Sequence, residues 1–178
     1  MKKLGLLLFT LSLVLFTFQS CEDVLDVNQE FELTREIPVA SETADFDANS
    51  ILDASAGSTY IADYGDKIKT IEILEAYYSL TAHTGPDDQK INSAVLKVSD
   101  EAGEGVTDVA TITDQNLKEL LTTEKPLAVN QAGLDRLAEL IKANPHKAKL
   151  WLSGDASSAP LLFTVKLKLK VKMVANPL

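Results

Sequence analysis

Apolar and polar residues alternate most strictly near the end of the chain, over residues 161–174 (LLFTVKLKLKVKMV). Phe163, Val165, Leu167, Leu169, Val171 and Met173 make one face; Thr164, Lys166, Lys168, Lys170 and Lys172 make the other. A period of two predicts a strand with one side in a core. The same period runs through residues 30–39, where Phe31, Leu33, Ile37 and Val39 oppose Glu30, Glu32, Thr34 and Glu36. Arg35 is the exception there, and Pro38, lacking a backbone donor, favours an edge position or the strand's end. Residues 67–83 carry apolar groups on both faces, which predicts a strand in the middle of a sheet. Residues 91–98, 106–113 and 147–153 predict shorter strands, separated by the turn-rich segments 84–88, 100–105 and 154–160. Residues 40–66 hold no strong period and are expected to form an irregular connection with a helical turn near Ala62.

Helical spacing is confined to two places. Asp114 is positioned to cap a short helix with Leu117, Leu120 and Leu121 on one side. Asn130 is positioned to cap a second, in which Leu134, Leu137, Ala138 and Ile141 follow i, i+3, i+4, i+7 until Asn144-Pro145 stops it. The predicted fold class is therefore mainly β: an antiparallel β-sandwich of about seven strands with short helices around 115–122 and 131–143.

The first residues are of another kind. Met1-Lys2-Lys3 is a basic start, and Leu4 to Phe18 is an uncharged apolar run of 15 residues. Such a run covers about 22 Å as a helix, short of the roughly 30 Å hydrocarbon core of a bilayer. It reads as a secretory signal. The run ends Phe18-Gln19-Ser20-Cys21, with the only cysteine of the chain at its close. This N-terminus resembles the lipoprotein signals of Bacteroidota cell envelopes, although Phe18 and Gln19 depart from their usual residues. The resemblance implies cleavage after Ser20 and acylation of Cys21. The acids Glu22-Asp23 next to it resemble a short version of the surface-export signal of those lipoproteins, placing the cell surface ahead of the periplasmic face of the outer membrane. The expected organisation is a signal peptide at 1–20, a lipid-anchored tether at 21–29 and one sandwich domain at 30–178.

Charge narrows the partners. The net charge of −9 over 178 residues disfavours nucleic acid. The imbalance is uneven: residues 22–115 carry 5 basic and 21 acidic side chains, residues 116–178 carry 10 and 5. The basic strand face of Lys166, Lys168, Lys170 and Lys172 suits anionic lipid or an acidic partner, but also suits keeping an exposed strand soluble or offsetting acids on a neighbouring strand. The last two readings are favoured.

Catalytic signals are sparse. One cysteine and two histidines exclude a Cys-rich zinc site and disfavour a histidine metal centre. His83 and His146 both sit at expected surface turns, and no G-x-S-x-G elbow accompanies them. Asp45, Asp47 and Asn49 open like a calcium loop, yet Ser50 and Ala56 stand where an EF-hand needs Gly and Glu; a looser calcium site on Asp45, Asp47, Asn49 and Asp53 is the lesser alternative to a plain acidic loop. Trp151, on the polar side of its strand, and the pair Tyr77-Tyr78 are candidates for stacking a sugar ring. The expected function is that of a non-enzymatic, lipid-anchored envelope protein, without cofactor, serving as an accessory or adaptor to a protein partner in an outer-membrane or cell-surface assembly. A surface glycan-binding module is the alternative, and a small hydrolase a distant third.

Overall fold

The alternation near the C-terminus becomes the spine of the structure. The computed structural model describes residues 26–178; residues 1–25, with the signal segment and Cys21, lie outside the described residues. The elements in order are β1 (Val27–Ser41), β2 (Asp45–Asp53), α1 (Ala54–Gly57), α2 (Thr59–Tyr64), a 3-10 turn (Gly65–Lys67), β3 (Ile68–His83), β4 (Lys90–Ser99), β5 (Thr107–Asn116), α3 (Leu117–Leu120), β6 (Lys125–Pro126), α4 (Gln131–Lys142), β7 (Lys147–Ala156) and β8 (Leu161–Ala175). They form two antiparallel sheets, β1-β8-β3-β6 and β2-β7-β4-β5. That strand order is a jelly roll, a sandwich of two interleaved Greek keys.

Burial follows the sequence pattern. Phe163, Val165, Leu167, Leu169, Val171 and Met173 of β8 are all buried between the sheets. Across the sandwich, Ala48 and Leu52 of β2 and Ala148, Leu150 and Leu152 of β7 meet them. Phe163 and Phe46 join the two layers edge to face, with ring centroids 5.6 Å apart.

Both sides of the sandwich are closed. On one side α4, capped as expected by Asn130, whose side chain accepts from Ala132 N at 3.0 Å, buries Leu134, Leu137 and Ile141. The segment before it is tied to one sheet by Leu127 N donating to Ala76 O at 2.9 Å, and to the other by Asn130 N donating to Val109 O at 2.7 Å. On the other side Arg35 breaks the alternation of β1 for a reason: its Nε donates to Ser50 Oγ of β2 at 2.7 Å, linking the sheets at their edge.

Four expectations change. Residues 45–53 form a strand, β2, where an irregular connection was expected; its inward face is only Phe46, Ala48, Ser50 and Leu52, too small and polar to stand out until β7 pairs with it. With the two-residue β6, eight strands stand among the described residues, against the seven or so expected. β1 begins at Val27, paired with Ala175, so residues 27–29 belong to the sheet and not to a tether. The short helix α3 is capped by Asn116, whose Oδ1 accepts from Glu119 N at 3.0 Å, while Asp114 stays in β5.

β3 is central, but its two apolar faces have a different origin. Ile73 pairs with Val171 and Glu75 with Lys170, leaving Leu74 as an extra residue in a bulge. Ile71 and Ile73 before the bulge, and Ala76, Tyr78 and Leu80 after it, all point to the same interior. Removing Leu74 leaves every neighbour in its present register. Its deletion is expected to cost only about 1 kcal/mol, for the lost side-chain contacts. Deleting Lys168, in contrast, shifts half of β8 by one residue against 15 uninterrupted pairs with β1, and is expected to abolish folding. Urea titration followed by far-UV dichroism checks both; equal damage from the two deletions would contradict the bulge assignment.

Candidate functional site

The three aromatic candidates do not share a surface. Tyr78 points inward and is 6% exposed. Tyr77 lies on the outer face of the first sheet, its hydroxyl donating to Glu75 Oε2 at 3.0 Å, with Lys168 Nζ 5.1 Å from the ring centroid. Trp151 lies on the outer face of the second sheet. Its Nε1 donates to Ser99 Oγ at 3.0 Å, and Lys149 Nζ sits 4.0 Å from the ring centroid. The sequence placed Trp151 on the outward face of its strand, but strand order puts it on the other sheet from both tyrosines.

Around Trp151 the structure assembles residues that sequence reasoning did not group. Asp47, Lys97, Gly103, Val106, Trp151 and Ser153 line a cavity of about 330 Å³. Asp47 lies opposite Ser153 in the pairing of β2 with β7, and Lys97 opposite Trp151 in that of β4 with β7. Gly103, at φ +93, brings the 100–106 loop against the indole. The signal available in the sequence was Val106, an apolar residue at the close of an acidic, glycine-containing loop; it is 52% exposed.

The lysine face is a neutralised stripe. Along β1, Lys166, Lys170 and Lys172 stand opposite Glu36, Glu32 and Glu30; along β3, Lys170 and Lys172 stand opposite Glu75 and Glu72. Lys168 forms an ion pair with Glu124, and that hydrogen bond raises the lysine above its ordinary pKa. Six glutamates thus flank four lysines, the arrangement expected where lysines offset acids on neighbouring strands. Exposed pairs of this kind add little to stability, because water screens them.

Comparison with known proteins adds the outline and no more. No protein-family model matches this chain, and no curated protein does. Some likeness is found to solved structures of viruses. The T=3 Penaeus vannamei nodavirus aligns at 14% identity and a TM-score of 0.40, over 84% of this chain and 55% of that one. The BFDV capsid protein aligns at 9% and 0.37, over 83% and 99%. Desmodium yellow mottle tymovirus aligns at 12% and 0.35, over 85% and 90%. Likeness at that level stops at two stacked antiparallel sheets.

The remaining candidates are dispersed. Asp45, Asp47, Asn49 and Asp53 lie along the outward face of extended β2, successive members at least about 6.6 Å apart, so they do not surround one ion as a loop would. Asp53 instead caps α1 by accepting from Ala56 N at 3.0 Å and lies 3.6 Å from Lys147 Nζ. Among the described residues no group of three or more His, Cys, Asp or Glu side chains is placed to hold a metal. His146 is buried, not exposed: its Nδ1 is 2.9 Å from Ile141 O at the end of α4. His83 pairs through Nε2 with Gln89 Oε1 at 3.0 Å, rather than with a hydroxyl. Gln89, 1% exposed, donates to Ser158 O and Pro160 O, tying two end loops together. Nothing in the sequence marked it for that role.

Burial raises the pKa of the Tyr78 phenol. Because the folded state holds that proton more tightly, its contribution to stability is complete below the unfolded-state value near 10 and declines as pH rises through the raised folded value. Tyr78→Phe is therefore expected to flatten the loss of urea resistance above about pH 10, and parallel curves for the two proteins would count against this assignment.

Proposed function

We infer that this protein is a lipid-anchored, non-enzymatic component of a bacterial cell envelope, an accessory or adaptor domain held against the outer membrane by acylated Cys21. The observation that carries the reading is the distance in sequence between that cysteine and the first strand. Only residues 22–26 separate Cys21 from Val27, and a fully extended run of that length reaches about 20 Å. The domain is thereby kept at the membrane rather than on a stalk. Several acyl chains at about 0.8 kcal/mol per buried CH₂ make such an anchor effectively permanent.

The histidines count against one kind of catalysis, that of a serine nucleophile with a histidine base. His146 is buried against backbone, His83 is paired with an amide, and neither meets a serine and an acid in the order that nucleophilic catalysis needs. The partner is a protein of the same membrane, and the cell surface is favoured over the periplasmic face by Glu22-Asp23.

Cys21→Ser tests the anchor. The wild-type chain is expected in the membrane fraction with an acylated N-terminal peptide by mass spectrometry, and the variant in the soluble fraction. Equal partition of the two removes the reading. Cross-linking on intact cells is then expected to recover one stoichiometric neighbour.

A further inference from the structure

We propose that the Trp151 cavity on the outer face of the second sheet is a binding site for one pyranose ring of a neutral glycan. The inference is independent of the acylation of Cys21.

The indole is held rigid before any ligand arrives. Its Nε1 is fixed by Ser99, a fully buried residue whose own hydroxyl donates to Asp100 O at 3.0 Å. Lys149 sits over the ring and does not line the cavity, so the cavity opens on the part of the indole that this ammonium leaves free. Val106 supplies a second apolar wall, and Gly103 lets the loop close to the ring edge. The C–H face of a pyranose has the shape and polarity to pack between such walls.

The polar lining selects among ligands by charge. Asp47 only accepts, Lys97 only donates and Ser153 does both. Among the described residues, neither Asp47 nor Lys97 has a salt-bridge partner, unlike Lys168 on the opposite sheet or Lys147 on this one. An anion in the cavity would face Asp47, and a cation would face Lys97 with Lys149 behind the ring. A neutral ring bearing adjacent hydroxyls satisfies carboxylate, ammonium and hydroxyl together. The volume of about 330 Å³ lies at the lower end for a ligand pocket and suits one sugar unit, with the rest of the chain running over the sheet.

Trp151 is the only tryptophan, so its emission reports occupancy directly. The full-length protein is titrated with neutral oligosaccharides of glucose, mannose, xylose and galactose, and with free amino acids as zwitterions. A saturable emission change with at least one oligosaccharide is expected. It should weaken about tenfold in Asp47→Ala, as loss of a charged hydrogen-bond partner requires, and persist in Tyr77→Ala. A silent glycan panel overturns the proposal, as does a response to amino acids alone or one that Asp47→Ala leaves intact.

Discussion

Phe163→Ala is expected to lower the stability of the domain by about 4 kcal/mol, the range for deleting a large aromatic side chain from a closed core. Phe163 is 1% exposed, stands opposite Val39 of β1 and His83 of β3, and reaches across the sandwich to Phe46. No other inter-sheet ring contact exists among the described residues, and neither sheet can close the void without losing its own pairing. Against the roughly 5–15 kcal/mol by which domains of this size are stable, such a loss is a large fraction. Urea midpoints for wild type, Phe163→Leu and Phe163→Ala give the measurement. A loss below about 1.5 kcal/mol for the alanine variant would mean that the layers collapse together more freely than this packing allows.

The second large effect has the opposite sign from what helix propensity alone dictates. Gly133 lies in the first turn of α4, where replacement by alanine ordinarily gains up to about 1 kcal/mol. Here an added Cβ would stand 2.2 Å from Asp108 O and 2.6 Å from Val109 Cα, both rigid backbone of β5. The helix must move off the sheet, or the edge strand must bend. Gly133→Ala is expected to cost about 3 kcal/mol, and Gly133→Val more. Because α4 closes one side of the sandwich, hydrogen exchange should show the loss first in α4 and β5. A stabilised alanine variant would show that the helix rides farther from β5 than these distances state.

Those two residues show what the chain reveals on reading and what it keeps back. Phe163 is legible because alternation is a local property: five residues on either side announce its face. Gly133 is not, because what crowds it is the backbone of β5, and no local pattern encodes that approach. The same division explains the rest. β8, β1 and α4 have strong periods and appear where expected, whereas β2 has a weak inward face and emerges only through β7. The paired lysines of β8 were readable as a stripe, but their glutamate partners come from β1, β3 and the stretch before β6, brought alongside by strand order. The cavity at Trp151 is assembled from β2, β4, β7 and a loop, so its tryptophan and Asp47 could be singled out beforehand but not brought together. Tyr78 was the counter-case: parity put it opposite Tyr77, and the bulge at Leu74 decided which of them went inside.

The pairing of Val27 with Ala175 has a practical corollary. The first strand and the last lie side by side, so both ends of the folded body emerge at one pole, while the turns at 42–44, 84–89 and 157–160 gather about 46 Å away at the other. Under the proposed acylation of Cys21, a reporter fused after Leu178 lands beside the anchor, and an epitope spliced into 42–44 is carried to the far pole. Antibody access to the spliced epitope on whole cells, compared with the C-terminal fusion, then reads out how the body stands on its leaflet.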